Sequence, residues 1–166
     1  MKVLIFGPSG SGKTYVAKAL QHAGINAFDD ADIDGLSSWY DQSGQKVPEP
    51  ATAGEAAERR LAFLWSKKAL KRFIDQFDDI YVFGGSGNVW SVFELFDRVY
   101  FLDINPELQK QRLMSPDRPT PLMDIDDDDG FVIWGAWFKQ MAKEKGIPFI
   151  NADQTPEQIF QIISQP

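Results

Sequence analysis

The run Gly7-Pro8-Ser9-Gly10-Ser11-Gly12-Lys13-Thr14 carries the plainest chemistry in the chain. Its glycines let successive backbone N–H groups curl inward on one point. A helix beginning at its end adds N–H donors that have no partner inside the helix, and a partial positive charge. Ser9, Gly10, Ser11 and Gly12 would turn their N–H groups onto phosphate oxygens. Lys13 would reach the β- and γ-phosphates of a nucleoside triphosphate, and the Thr14 hydroxyl would hold Mg²⁺. The setting agrees with that chemistry. The apolar run Lys2-Val3-Leu4-Ile5-Phe6 before the loop reads as a buried strand, and Tyr15 to His22 after it reads as a helix. ATP and Mg²⁺ are the expected ligands.

The elements that must position this loop follow along the chain. Strands are expected at 2–6, 25–28, 80–83, 98–102 and 147–150, with helices between them. Asn105 followed by Pro106 is a helix start, and Thr155-Pro156-Glu157-Gln158 is a capping pattern for the last helix. Residues 55–77 show helical spacing through Leu61, Leu64, Trp65 and Phe73. Residues 35–53, with Trp39 and Tyr40 among Gly, Ser, Gln and Pro, hold no periodicity and are expected to form a loop or mobile lobe on the substrate side. Residues 115–130 are polar and then acidic and are expected to form a lid, with Asp126 to Asp129 as a solvated run. Phe131 to Lys145 returns to helix, where Trp134 and Trp137 are expected in the core. Strands alternating with helices imply a single domain of class α/β: a three-layer α/β/α fold on a five-stranded parallel sheet, with a lid segment.

In such a sheet the ligand lies at the carboxyl ends of the strands. That rule gathers the phosphate loop, Asp30 and Asp32, the stretch Gly84 to Asn88, and Asp103. Two familiar loop-bearing classes lack their signatures here: there is no Asn-Lys-x-Asp base reader and no Leu-Ser-Gly-Gly-Gln run. The strand at 80–83 ends in glycines where many ATPases place a magnesium carboxylate, so Asp30 is the candidate metal carboxylate.

Composition narrows the partners. With 166 residues and 43% hydrophobic content the chain can bury a real core. A formal charge of −7 disfavours a nucleic-acid surface. The absence of cysteine excludes disulfides and thiolate metal sites. No apolar run approaches the roughly 20 residues of a membrane span. A cytoplasmic protein, monomer or homodimer, is expected, with ATP and a small-molecule acceptor as partners and no membrane.

Beyond the phosphate loop the chain resembles the shikimate kinases and the wider nucleoside-monophosphate-kinase-like branch of phosphate-loop kinases. The resemblance rests on Asp30-Ala31-Asp32, on Gly54-Glu55 followed by Arg59, on Gly84-Gly85-Ser86, on Arg112, and on Arg118-Pro119. It implies that Asp30 positions Mg²⁺ and that Asp32 and Arg59 face the substrate. It implies backbone contacts to the substrate at Gly84 and Gly85, a nucleotide contact at Arg112, and closure of Arg118 with the lid onto the phosphates. Two positions depart from the family pattern: Ser86 interrupts the glycine triplet, and Trp134 stands where an arginine would. Trp39 and Tyr40 would suit a planar base or another ring.

Together these features point to an ATP-dependent small-molecule kinase that transfers the γ-phosphoryl group to a hydroxyl or phosphate, with Lys13, Asp32 and Arg118 as its catalytic residues. The alternatives are an ATPase or ATP-binding switch with no small acceptor, or a nucleic-acid end as acceptor.

Overall fold

The computed structural model describes residues 1–115 and 128–165. In chain order the strands are β1 (Lys2–Phe6), β2 (Ala27–Asp29), β3 (Ser37–Tyr40), β4 (Lys46–Val47), β5 (Ala62–Trp65), β6 (Ile80–Gly84), β7 (Arg98–Asp103) and β8 (Phe149–Asn151). The α-helices are α1 (Lys13–His22), α2 (Ala53–Glu58), α3 (Lys67–Ile74), α4 (Pro106–Leu113), α5 (Asp128–Glu144) and α6 (Pro156–Ile163). Two 3₁₀ turns, Asp30–Asp32 and Val89–Leu95, complete the set among the described residues.

Five strands form one parallel sheet in the order β2-β6-β1-β7-β8. The central strand is the first one read from the sequence, and Val3, Leu4, Ile5 and Phe6 are all fully buried. Side chains alternate across a strand, so these four feed two separate cores. Leu4 and Phe6 pack with Leu70 and Ile74 of α3, Val89 and Val92 of the second 3₁₀ turn, and Phe138 of α5. Val3 and Ile5 pack with Val16, Ala17 and Leu20 of α1 and with Ile159 and Ile163 of α6. That is the expected three-layer arrangement. Phe6 also meets the rings of Phe101 and Trp90 at centroid distances of 5.2 and 5.3 Å. Full burial of such a side chain contributes about 2–3 kcal/mol.

The helix starts form as their sequences predict. Asn105 Oδ1 accepts the Glu107 N–H at 2.9 Å and opens α4. Thr155 and Gln158 cap each other reciprocally at the start of α6. Trp134 and Trp137, expected in the core, are 50% and 45% exposed, and only Phe138 of that aromatic group is fully buried.

The substrate-side region differs from the sequence expectation. Residues 35–53 hold β3 and β4, joined by a turn in which Asp41 Oδ1 accepts from Ser43 N, Ser43 Oγ and Gln45 N. Residues 55–77 are not one helix. The first helix ends at Glu58, Arg60 takes a left-handed φ of 52°, and β5 follows before Ser66 caps α3. The strands β4-β3-β5 make a second, antiparallel sheet. The reason is the alternation of Phe63 and Trp65, two aromatics on one face of a strand, which the helical spacing of Leu61 and Leu64 masks. The lid expected at 115–130 falls largely on residues 116–127, outside the described residues. Asp126 and Asp127 lie there too, and Asp128 already opens α5.

Asn88 fastens the small sheet to the large one. Its Oδ1 accepts the Trp65 N–H at 2.8 Å and the Ser86 hydroxyl at 2.9 Å, and its Nδ2 donates to the Trp65 carbonyl at 3.0 Å. Gly87 N–H adds a bond to the Phe63 carbonyl at 2.9 Å. Asn88→Ala leaves both Trp65 backbone groups without these partners and is expected to destabilise the chain by about 2 kcal/mol. The check is a urea titration, which should show a lower midpoint with little change in slope.

Candidate active site

The phosphate loop joins β1 to α1 and keeps the backbone its glycines permit. Gly10 and Gly12 take φ of 83° and 91°, a left-handed conformation that other residues adopt only under strain. A side chain at Gly10 would also press on Leu113 at 3.1 Å. Ser11 is buried; its N–H donates to the Pro8 carbonyl at 3.2 Å, and its Oγ has no hydrogen-bond partner. Lys13 Nζ reaches back across the loop to the same Pro8 carbonyl at 2.8 Å. Thr14 stands exposed in the first turn of α1.

Helix α4 holds this loop from outside. Buried Gln109 donates to the Ser9 carbonyl at 2.9 Å. Arg112, one turn on, donates to the Ser11 carbonyl at 3.3 Å and to the Ala152 carbonyl at 3.3 and 3.4 Å, with Asp153 at 3.7 Å. Arg112 was expected beside the nucleotide and lies beside the loop. Gln109 was not foreseen, although its three-residue spacing from Arg112 places both on one helix face. Gly135 of α5 packs so closely here that an added side-chain carbon would stand 3.2 Å from both Gln109 and Pro8.

Asp30 sits at the end of β2, facing the loop. Its Oδ2 accepts the Trp65 indole N–H and the Gly85 backbone N–H, each at 3.2 Å. Gly84 makes this closeness possible. A Cβ there would lie 2.6 Å from both Asp30 Cβ and the Trp65 ring. Burial, then the charge of neighbouring Asp29, pushes the Asp30 pKa up to about 7, against the opposing pull of Lys13 and the Gly85 N–H. Trp65 is a site residue that the sequence did not reveal.

Beyond Asp30 opens a cleft of about 460 Å³. Its wall includes Asp30, Ser37, Trp39, Lys46, Glu49 and Phe63. Two residues expected to face the substrate do not line it. Asp32 is exposed, and its Oδ2 accepts the Asp29 N–H at 3.2 Å, closing a capping box around the turn. Arg59 ends α2 in an ion pair with Glu55, one turn back. Arg118 lies outside the described residues. The structure therefore brings together the phosphate loop, Lys13, Asp30, Gly84, Gly85 and Arg112, and leaves Asp32 and Arg59 engaged elsewhere.

The donor set can be tested against ATP and Mg²⁺. The loop is a glycine-built turn at a helix start with the Lys13 ammonium across it, the Thr14 hydroxyl follows in the first turn of α1, and the Asp30 carboxyl lies within the electrostatic reach of Lys13. These residues fit a triphosphate and a hard cation.

No family model and no curated protein matches this sequence. Solved structures do match its fold. Shikimate kinase from Acinetobacter baumannii in complex with shikimate is 19% identical, with a TM-score of 0.58 over 98% of this chain and 92% of that one. A gluconokinase from Sinorhizobium meliloti is 13% identical, with a TM-score of 0.51 over 96% and 87%. Deoxyadenosine kinase from M. mycoides with bound dCTP is 14% identical, with a TM-score of 0.51 over 99% and 97%. The chain has the fold of the phosphate-loop kinases. No helix among the described residues is long and apolar enough to cross a membrane.

Two outcomes test this geometry. An Asp30 proton held more tightly in the folded chain than in the unfolded one contributes stability that is complete below the unfolded value of 3.8 and gone above about 7. In chelator, the Asp30→Asn chain should therefore melt higher than the parent at pH 8, with the difference closing toward pH 4. Gly84→Ala should destabilise by about 1–3 kcal/mol, because neither Asp30 nor the Trp65 ring can yield without breaking their hydrogen bond. Thermal melts across pH read both.

Proposed function

We propose that this chain is an ATP-dependent small-molecule kinase. The observation that carries the reading is the placement of one carboxyl, Asp30, between the phosphate loop and a separate cleft walled by the small sheet. A donor site and an acceptor site then share one boundary, as phosphoryl transfer requires.

The loop N–H groups of residues 9–12 would cradle the phosphates, and Lys13 would neutralise charge on the transferring group. Thr14 and Asp30 would hold Mg²⁺. The ion would supply positive charge that offsets the charge developing on the transferring group. Arg112 already anchors the loop's outer side and would border the nucleotide. Gly84 and Gly85 would keep the acceptor close to Asp30. The transition state is loose, so orientation matters more than a strong base. The acceptor oxygen would bond to the γ-phosphorus as the bridging P–O bond breaks, ADP keeping the electron pair and the proton of an acceptor hydroxyl passing to the Asp30 carboxylate. Asp32, expected as the orienting carboxylate, would first have to leave the Asp29 N–H; Asp30 needs no such rearrangement. Arg118 would add a cation if the segment that bears it closes over the phosphates.

Lys13→Ala should lower acceptor-dependent ADP formation at least 100-fold while leaving the circular dichroism and the melting temperature nearly unchanged. A coupled ADP assay over nucleosides, nucleotides and hydroxy acids provides the measurement. Steady hydrolysis that no acceptor stimulates would instead favour a plain ATPase.

A further inference from the structure

The cleft beyond Asp30 has a composition that selects among acceptors. Strands β4, β3 and β5 place Val47, Trp39 and Phe63 in one transverse row, since Trp39 pairs with Val47 on one side and with Phe63 on the other. Directly opposed residues in a sheet share a face, so the row is continuous. Trp39 and Phe63 meet at 5.3 Å between centroids with a 55° tilt, and all three residues line the cleft. Trp65 follows Phe63 by two and so lies on the same face, where its indole N–H meets Asp30. One face of the small sheet thus runs from an apolar, aromatic floor to the carboxyl at the phosphate-loop boundary.

Charge gives the second constraint. Among the described residues in the cleft wall, the one cation is Lys46, against the carboxyls of Asp30 and Glu49. Buried Asp29 and exposed Asp32 stand beside Asp30 in sequence. Arg59, the arginine expected to grip an anionic acceptor, is paired with Glu55 and does not line the wall. A phosphate monoester or a carboxylate entering this cleft would meet Lys46 as the one cation against Glu49 and Asp30, with no bidentate partner among the described residues of the wall.

We infer that the cleft binds an uncharged nucleoside-type acceptor, with a planar heteroaromatic ring on the Trp39–Phe63 floor and a hydroxyl toward Asp30, and that it disfavours anionic acceptors. The size agrees: about 460 Å³ falls in the range of about 300–1,000 Å³ usual for small-molecule sites. Ser37, Lys46 and Glu49 supply polar groups along the wall for the ring's heteroatoms. This inference deepens the kinase reading and rests on it for the direction of the hydroxyl, but not for the binding itself.

The test is calorimetric binding of adenosine and uridine, and of AMP and UMP, to the full chain, followed by ADP formation with Mg-ATP. Nucleosides should bind at least tenfold more tightly than their monophosphates. Trp39→Ala should weaken nucleoside binding roughly tenfold or more, the usual loss when a base loses its stacking partner, and leave ATP binding unchanged. Trp39→Phe should restore most of that loss, which a merely structural role would not predict. Glu49→Lys, at the wall, should narrow the preference over monophosphates about tenfold. Tighter binding of AMP, UMP or gluconate than of the nucleosides overturns the inference, as does a Trp39→Ala chain that binds nucleosides normally, or no nucleoside binding at all. Nucleosides that bind with this selectivity without ever stimulating ADP formation would support the inference and defeat the kinase reading. Turnover of an anionic acceptor alone would do the reverse.

Discussion

A single carboxylate oxygen ties the parts of this site together. Asp30 Oδ2 takes one N–H from the small sheet, through the Trp65 indole, and one from the glycine loop after β6, through Gly85. The carboxyl itself belongs to the end of β2. Three elements distant in sequence therefore converge on one acceptor, and they can do so only because Gly84 leaves the space that a side chain would fill. Two donors on a half-buried carboxyl lower the energy of its charged form, yet burial and Asp29 outweigh them. The group is consequently held in place without being settled in charge. On the proposed reading, that state would suit a residue standing between a polyphosphate and an acceptor.

The large sheet was legible because its signals are local. A continuous apolar run before a glycine loop, an Asn-Pro helix start and a reciprocal Thr–Gln cap each declare themselves within a few residues. The same holds for Asp30 and the Gly84-Gly85 pair, which the strand-end rule gathers. The small sheet was not legible. Its strands are two to four residues long, and their partners lie up to 28 residues apart, as in the Ser37–Trp65 pair. Within 59–66 the apolar residues satisfy a helical template by coincidence, while the deciding facts are the left-handed Arg60 and the grip of Asn88 on Trp65. Neither can be read from a window of sequence. Asp32 and Arg59 illustrate the other limit. Their types suit a substrate, but a cap and an i,i+4 ion pair, both local interactions, engage them instead.

The donor side is stabilised from a direction that the loop motif does not announce. Gln109 and Arg112 bind the outward carbonyls of Ser9 and Ser11. Carbonyls engaged by α4 are not turned toward an anion seated in the loop, which is the polarity that anion binding would need. Arg112 also joins the loop to the segment between β8 and α6 through Ala152. The turn after β8 is thus linked to the phosphate loop through Arg112.

The chain's acidity then takes on a local meaning. A net charge of −7 repels polyphosphate at long range, but salt screens that repulsion within about 10 Å. Inside that distance the attraction of a nucleotide would depend on the loop N–H groups, on Lys13 and on a divalent ion. The cleft beyond Asp30 has no comparable array among the described residues: its wall sets Lys46 against Asp30 and Glu49, and its largest side chains are Trp39 and Phe63. On the proposed reading, one end of the boundary at Asp30 would favour dense negative charge and the other a flat, neutral surface. Two substrates that differ in this way would sort to opposite ends of that boundary.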